Sequence, residues 1–192
     1  RNTMNSKINV GVIFGGRSVE NEISVLTAIQ AMEAIDTTKC DITPIYISKE
    51  GVWYTGAQLR ESANYKNLDK LYAACEQVYL RPIYGDNHLY KVRKPMFGSD
   101  VAATIDVILP ALHGTNCEDG SFQGTIEMTG IPYAGCNVLA SANGMDKITM
   151  KMILQACDVP VVDYVWFTDK QWFSQRNELI TRIEEKLGYP VI

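Results

Sequence analysis

The sequence lacks several patterns that would assign it to a particular class of protein. No apolar run approaches the roughly 18 residues that a membrane-spanning helix needs, and no basic-then-apolar leader opens the chain. Basic residues form no stripe or cluster, and the formal net charge is −4. We therefore expect neither nucleic acid nor a membrane as a partner.

The cysteines give no sign of a disulfide framework or of a metal site. There are five of them, an odd number, and no two have the C-x-x-C spacing that structural zinc sites commonly use. We therefore expect free thiols and no metal site in this chain. Free thiols are typical of a reducing compartment, so a cytoplasmic location is the corresponding prediction.

The composition is ordinary for a soluble globular protein. Of the 192 residues, 46% are hydrophobic and 21% are charged, which is enough apolar material for a sizeable core. This length fits one large domain, or one domain and part of another. Residues 1–3 precede Met4 and are interpreted as an addition that does not belong to the natural chain.

The first 47 residues follow a strand–helix–strand pattern. Residues 8–14 are a short apolar run that ends at Gly15-Gly16, which predicts a buried strand. Ser18 is expected to cap a helix, and residues 41–47 to form a second strand in which Pro44 favours an edge or irregular position. The predicted apolar face of the helix consists of Val19, Ile23, Leu26 and Ile29. Such units build parallel sheets, so the predicted fold is α/β with a parallel, Rossmann-like sheet.

The rest of the chain predicts more elements of this kind, with one interruption. Residues 51–104 fit the pattern least and include a predicted hairpin around Gly85, so we expect a β insertion laid on the core. Further strands are predicted at 104–112, 131–135, 159–167 and from 189 onward, and helices from Phe122 to Gly130, at 145–157 and at 169–187. We expect an N-terminal α/β domain over residues 1–135 and the beginning of a second domain over 136–192.

One candidate segment lies between the first strand and the first helix. Gly15 and Gly16 there let a ligand approach the backbone, and the helix N-terminus favours anions. Glu20 follows in the first turn, where an acidic residue can also simply complement the helix dipole. The two adjacent glycines do not form a G-x-G-x-x-G fingerprint, which disfavours a dinucleotide-binding oxidoreductase.

Two more candidates lie farther along the chain. His113 follows a predicted buried strand, at the edge where open α/β sheets bind ligands, and its imidazole suits proton transfer or contact with an anion. A structural histidine in a turn explains it equally well. Lys147 follows Asp146 at the start of a predicted helix and could contact a phosphate, although a solvated lysine is the simpler alternative. We predict that Glu20 and His113 face one cleft.

Taken in order, three segments resemble the D-alanine–D-alanine ligases of the ATP-grasp superfamily. They are GGRSVENEIS, LHGTNCEDGSFQGTIEMTGIPYAGCNVLASANGMDK and LGYPVI. The resemblance extends from Ile8 to Ile192 and is weakest over residues 51–104. It implies a substrate-binding, pre-ATP-grasp N-terminal domain followed by the truncated start of an ATP-grasp central domain.

The resemblance also implies a reaction and a role for each candidate. ATP would phosphorylate the carboxylate of one D-alanine, and the amine of a second D-alanine would attack the acyl phosphate to give the dipeptide used in peptidoglycan. Glu20 corresponds to the anchor of the substrate ammonium, and His113 to the residue beside the reacting carboxylate. Gly15 and Gly16 would shape the substrate loop, and Lys147 would contact nucleotide phosphate. The ligands of Mg²⁺ are expected beyond this sequence, so the chain alone is expected to be inactive. A homodimer is implied as well.

The sequence departs from the family's pattern at three positions. Asn21 stands where His or Arg is common, Cys117 where Gly is usual, and Asp158 where a helix-ending Gly is typical. If the loop requires a positive φ at Cys117, that residue carries strain, whereas Asp158 tolerates such a backbone better. Two alternatives stay open: another ATP-grasp ligase, and a non-catalytic α/β module that binds small ligands or partners.

Overall fold

The computed structural model describes residues 7–192 of the chain. By their contacts these residues divide into two compact units, one ending at Met145 and the other running from Asp146 to Ile192. The division thus falls at the end of a helix, after the expected boundary at residue 135. The interpretation of residues 1–3 concerns a part of the chain outside the described residues.

The first unit is built on a seven-stranded sheet. Its strands are β1 (Ile8–Gly15), β2 (Cys40–Ile47), β3 (Trp53–Thr55), β4 (Glu76–Leu80), β5 (His88–Lys91), β6 (Val101–Thr104) and β7 (Val107–Pro110). They lie in the order β6-β5-β4-β3-β2-β1-β7. Only β2, β1 and β7 are mutually parallel, and each pair from β2 to β6 is antiparallel. The predicted α/β class is confirmed, whereas the sheet is mixed.

Four helices accompany this sheet. They are α1 (Asn21–Ala34), α2 (Leu68–Ala74), α3 (Ser121–Thr129) and α4 (Val138–Met145), and two short 3₁₀ turns precede α2 at Ala57–Arg60 and Ser62–Lys66. The prediction for α3 is confirmed, including its end at Gly130, whose φ of 73° is left-handed. The helix α4 is not anticipated from the sequence.

The stretch 51–104 contributes strands β3 to β6, which continue the sheet edge to edge. β3 pairs with the end of β2, beginning at Ile47 and Trp53, and β4 then pairs with β3. The predicted hairpin is confirmed as the antiparallel pair β4–β5. Each of these strands adds to the same sheet through backbone hydrogen bonds. This explains why residues 51–104 are an integral part of the fold although they resemble the family least.

The predicted strand at 104–112 is divided by Ile105 and Asp106. Before the break β6 pairs with β5 at one end of the sheet order, and after it β7 pairs with β1 at the other end. The Ile105 amide donates to the Asn87 carbonyl at 2.8 Å, and the Asp106 amide to the Asn9 carbonyl at 2.9 Å. Ile105 and Asp106 therefore connect β6, at one end of the strand order, to β7, at the other end.

The helix α1 presents a different face to the sheet from the one predicted. Ile23 and Leu26 are 58% and 53% exposed. Its buried residues are Asn21, Ser24, Val25, Ala28 and Met32. The buried stripe begins with two polar residues that hydrogen-bond to the ends of strands, and these bonds set the rotation of the helix. The apolar periodicity alone therefore predicts the wrong buried face of α1.

Pro44 lies in an interior strand of the sheet, but β3 does not pair with it, so the side of β2 that faces β3 is locally an edge at this residue. Its carbonyl accepts a hydrogen bond from the Thr55 hydroxyl at 2.7 Å, on the side of β3. The nitrogen of a strand residue points to the same side as its carbonyl, and β3 begins to pair only at Ile45. The missing N–H of proline therefore costs no hydrogen bond of the ladder.

The second unit is helical over the residues described. It contains α5 (Lys147–Ala156), α6 (Asp169–Ser174) and α7 (Arg176–Lys186). The predicted helix at 169–187 is interrupted at Gln175, which has a φ of −135°. Asp158 adopts a φ of 57°, the left-handed conformation expected there. None of the described helices is long and apolar enough to span a membrane.

The strands predicted at 159–167 and from 189 onward are not formed. A strand requires a hydrogen-bonded neighbour, and residues 146–192 of this unit contain no other strand with which to pair. The segment is held by side chains instead. The Tyr164 hydroxyl donates to the Gln155 amide oxygen at 3.2 Å, and the Arg182 guanidinium donates to the Trp166 carbonyl at 2.8 Å.

Candidate functional site

Gly15 and Gly16 form a tight, buried turn at the end of β1. Both have left-handed φ angles, 88° and 97°. The Gly16 amide donates to the Ile47 carbonyl at 2.8 Å, and a β-carbon on Gly15 would collide with that same oxygen. A β-carbon on Gly16 would lie 2.5 Å from the sulfur of Cys117. The turn therefore needs glycine at both positions.

Asn21, the first residue of α1, braces this turn from behind. It is only 2% exposed. Its amide nitrogen donates to the carbonyls of Gly16 at 2.8 Å and Ile47 at 3.2 Å, and its oxygen accepts from the Tyr46 hydroxyl at 3.0 Å. Burial raises the pKa of Tyr46, so this hydroxyl keeps the proton that it donates. The departure from the family's pattern at position 21 thus supports the loop that carries Glu20.

Ser24, one turn later on α1, connects the first candidate loop to the second. Its hydroxyl accepts from the Gly15 amide at 2.8 Å and donates to the Ala111 carbonyl at 2.5 Å. It is fully buried. Because β1 and β7 are parallel neighbours, their C-terminal ends lie at one edge of the sheet. A single hydroxyl therefore ties the loop after β1 to the loop after β7.

His113 and Gly114 follow β7 and lie against the first loop. The Nε2 atom of His113 is 3.0 Å from the Thr27 hydroxyl of α1. A β-carbon on Gly114 would lie 2.5 Å from the hydroxyl of Ser18 and 2.9 Å from a carboxylate oxygen of Glu20. The structure therefore brings Glu20 beside the loop of His113, while the functional roles of the two side chains stay predictions.

The segment after Gly114 is organised by two carboxylates and by Cys117. Glu118 accepts from the Gly114 amide at 2.7 Å, and Asp119 accepts from the Asn116 amide at 2.8 Å. The left-handed residue is Asn116, with a φ of 63°, so the strain considered for Cys117 is absent there. Cys117 is instead buried against Gly16. Burial, together with nearby carboxylates, raises the pKa of its thiol to about 11.

Lys147 belongs to the second unit and is the first residue of α5. Its side chain is exposed. Asp146 caps the helix by accepting from the Thr149 amide at 2.6 Å, and this backbone hydrogen bond lowers the pKa of the Asp146 carboxyl. The prediction that Asp146 and Lys147 begin a helix is confirmed. An exposed ammonium in a first helical turn is chemically suited to a phosphate.

Three residues of α1 that hold the two loops are not predicted from the sequence. Asn21, Ser24 and Thr27 are spaced three apart, so they lie along one side of the helix. That polar stripe inside an otherwise apolar helix is the signal that could have revealed them. A cleft of about 440 Å³ also opens beside the second loop, lined by Glu118, Gln123 and Ser141 among others.

A model of the family described as D-ala D-ala ligase N-terminus matches residues 9–136, more than half of the chain. The D-alanine–D-alanine ligase of Thermosipho melanesiensis is 40% identical over 187 residues, which cover 96% of this chain and 48% of the relative. That of Geobacillus kaustophilus is 40% identical over 184 residues, covering 96% of this chain and 49% of the relative.

Solved structures of similar proteins agree with this result. The VanG D-Ala:D-Ser ligase from Enterococcus faecalis superposes with a TM-score of 0.73 at 28% identity, covering 96% of this chain and 51% of that one. The D-alanine-D-alanine ligase from Coxiella burnetii has a TM-score of 0.72 at 31% identity, covering 93% and 49%. The chain spans about half the length of these relatives. With the family model matching most of the first unit, the chain belongs to the D-ala D-ala ligase N-terminus family.

Proposed function

We propose that this chain is the N-terminal part of an ATP-dependent ligase that joins two D-alanines through an acyl phosphate for peptidoglycan synthesis. The observation that carries the proposal is the meeting of two loops at one edge of the sheet. Glu20 on the first loop lies against Gly114, the residue directly after His113 on the second. Family membership and the position of both loops at the C-terminal ends of parallel strands support this assignment.

Glu20 is the proposed anchor for the ammonium of the first D-alanine. Its neighbour Glu22 is held in an ion pair with Lys49, at 2.5 Å, whereas no ion pair engages Glu20 among residues 7–192. The Glu20 carboxylate is therefore available to a positively charged ligand. The turn at Gly15 and Gly16 is hydrogen-bonded to Ser24 and Asn21 of α1. It therefore fixes the position of the start of this helix and of Glu20.

His113 is proposed to lie beside the carboxylate of the same D-alanine. With the ammonium held at Glu20, the carboxylate of so small an amino acid must lie within a few ångströms, on the side of the His113 loop. When it is protonated, an imidazole there can donate a hydrogen bond to an oxygen of that carboxylate and oppose its negative charge. The same groups hold the acyl group for attack by the second amine.

ATP and Mg²⁺ are the proposed cofactors. Bound ATP would supply the γ-phosphate, and Lys147 is the proposed contact for a nucleotide phosphate, as part of an ATP-grasp domain beginning near residue 136. Its exposed ammonium at the start of α5 fits a phosphate group. Within residues 7–192 no group of three or more His, Cys, Asp or Glu side chains is arranged to hold a metal ion.

The proposal is tested by comparing Glu20→Gln with Glu22→Gln. Both residues are exposed glutamates at the start of α1, so the second variant is a matched control. In NMR titrations of this chain with D-alanine, the amides of Gly15, Gly16 and Gly114 should shift in the unaltered chain and in Glu22→Gln. They should not shift in Glu20→Gln. Equal titrations of the two variants would remove Glu20 from the proposed site.

The same variants give a kinetic test in the whole protein. Removing one partner of a desolvated ion pair costs roughly 3–5 kcal/mol. At about 1.4 kcal/mol per decade this cost corresponds to about two to three and a half decades in kcat/KM, so phosphate release with ATP and D-alanine should fall by that factor in Glu20→Gln and change little in Glu22→Gln. Because the structural relatives include a D-Ala:D-Ser ligase, the assay should offer D-serine as well as D-alanine as the second substrate.

The family resemblance also leads us to propose a cytoplasmic homodimer formed through the N-terminal domain. Light scattering of the whole protein over a range of concentrations measures the mass directly. A mass of one chain at high concentration would contradict the proposal.

A further inference from the structure

The hydroxyl of Thr27 lies between a helix carbonyl and His113. Its oxygen is 3.1 Å from the Ile23 carbonyl, one turn earlier on α1, and 3.0 Å from Nε2 of the imidazole. Both Thr27 and His113 are half-buried, and the contact between them is partly buried, whereas the contact with the Ile23 carbonyl is exposed.

The number of available protons limits how these three groups can bond. A threonine hydroxyl has one proton to donate and lone pairs with which to accept. If it donates to the Ile23 carbonyl, it can only accept from His113, and Nε2 must then carry hydrogen. If it donates to a bare Nε2, the bond to Ile23 is lost. The Nε2–H form of the ring therefore makes two hydrogen bonds where the Nδ1–H form makes one.

We propose that Thr27 is a positioning residue that holds neutral His113 in the Nε2–H tautomer and leaves Nδ1 with the free lone pair. One additional hydrogen bond favours this tautomer by a factor of roughly two to ten. Across residues 7–192 no protein group is hydrogen-bonded to Nδ1, so this atom remains available to a ligand. The tautomer is a property of this chain alone, whereas its role in ligation rests on the proposed function.

The consequence for the proposed reaction concerns which ring atom can exchange a proton with substrate. Nε2 is hydrogen-bonded to Thr27 on α1, and Glu20 lies at the start of the same helix. Nδ1 is therefore the atom that accepts a proton, or donates one when the ring is protonated. Thr27 thus aligns the imidazole with the helix that positions the ammonium anchor, without itself contacting substrate.

The chain provides an internal reference for measuring the tautomer. It has two histidines, and the other, His88, has its Nδ1 atom 3.1 Å from a carboxylate oxygen of Asp86. An ionised carboxylate can only accept, so Nδ1 of His88 carries hydrogen. The two rings are thus expected to hold their hydrogens on opposite nitrogens, and one spectrum should show both cases.

The test is ¹⁵N NMR of the histidine rings of this chain at about pH 9, where imidazoles are neutral. His113 should show a protonated Nε2 and an unprotonated Nδ1, and His88 the reverse. Thr27→Val keeps the branched shape but removes the hydroxyl, so the His113 shifts should move towards those of a freely exchanging ring. Thr27→Ser should keep the unaltered pattern. A protonated Nδ1 on His113, or identical spectra for Thr27→Val and the unaltered chain, would overturn the inference.

Two further readouts separate this inference from the proposed function. Unchanged His88 signals in Thr27→Val show that the fold is intact. In the whole protein, Thr27→Val should lower kcat for ligation by about twofold, the loss that follows from the tautomer population, with little change in KM for ATP, while Thr27→Ser stays near the unaltered value. If Glu20→Gln still binds D-alanine while the His113 pattern appears as expected, the proposed function fails and the tautomer assignment stands. An unaltered kcat in Thr27→Val would refute the positioning role.

Discussion

Gly114 leaves no space for a side chain beside Glu20, since a β-carbon placed there would lie 2.9 Å from a carboxylate oxygen of that residue. The hydroxyl of Ser18 would be closer still, at 2.5 Å. The two loops of the candidate site therefore touch through a glycine, and the contact can be tested by adding one methyl group.

Gly114→Ala should destabilise the protein and displace Glu20. Its φ of 79° is left-handed, which costs a residue with a side chain about 1–2 kcal/mol, and the collision adds to that cost. Gly98→Ala is the matched control, because Gly98 has a φ of 94° but no atom within 4 Å of its β-carbon position. Urea denaturation should show Gly114→Ala to be the less stable variant. Equal stability would mean that the two loops can separate freely.

Ser24→Ala should lower the free energy of unfolding by about 1–3 kcal/mol. The change leaves the Gly15 amide and the Ala111 carbonyl without their buried hydrogen-bond partner. Ser99→Ala serves as the comparison, because this serine is exposed and its hydroxyl accepts a hydrogen bond from the Val101 amide at 3.0 Å. Chemical denaturation of both variants measures the difference. A loss in Ser24→Ala no larger than in Ser99→Ala would exclude Ser24 as the tie between the loops.

Cys117 should resist thiol reagents under native conditions. Burial and nearby carboxylates raise its pKa to about 11, so at pH 8 only about one thiol in a thousand is ionised. Cys136 and Cys157 are exposed and should react rapidly. Labelling with a thiol reagent followed by peptide mass spectrometry distinguishes the three sites. Labelling of Cys117 at the rate of Cys136 would show that its packing against Gly16 opens readily.

Asp119 should contribute to the stability of the fold in a pH-dependent way. Burial acts to raise the pKa of its carboxyl, but amide hydrogen bonds from Asn116 and Ser121 outweigh it, and the pKa lies below the usual 3.8. The ionised Asp119 carboxylate therefore makes its full contribution to the free energy of unfolding above about pH 3.8. This contribution is lost as the pH falls through the lower pKa of the folded state.

Acid titration of the free energy of unfolding measures this contribution. Asp119→Asn cannot ionise, so between about pH 5 and pH 2 its stability should fall less steeply than that of the unaltered protein. Parallel curves for the two proteins over this range would contradict the assignment of the two amide hydrogen bonds to an ionised Asp119.

The sequence predicts most elements of the first unit because their signals are local. The apolar run of β1 and the glycine that ends α3 each act through a few neighbouring residues. The face of α1 is mispredicted because Asn21 and Ser24 are buried by bonds to strands that are distant in sequence. Pro44 is tolerated in an interior strand because β3 does not pair with it, and the residues next to Pro44 in the sequence do not reveal this.

The candidate site was predictable only in part for the same reason. Glu20 and His113 follow strand ends, and that pattern is visible in the sequence. Their proximity depends on the parallel pairing of β1 with β7, and the orientation of His113 depends on Thr27. In the second unit, residues 159–167 have the composition of a strand but no neighbour with which to pair, so composition alone gives the wrong element there.

The two-residue link at Ile105 and Asp106 has a consequence for the kinetics of folding. The Asn9 amide bonds to the Asp106 carboxylate across 97 positions of sequence, at 2.8 Å, where β7 joins β1. Contacts between such distant residues form slowly, because a long loop must be closed before any bond repays its lost entropy. The hairpin of β4 and β5 closes a far shorter loop and should form first. The last pairing to form is then the one that brings the His113 loop to Glu20, so hydrogen-exchange protection at Ala111 should report the moment at which the site is assembled.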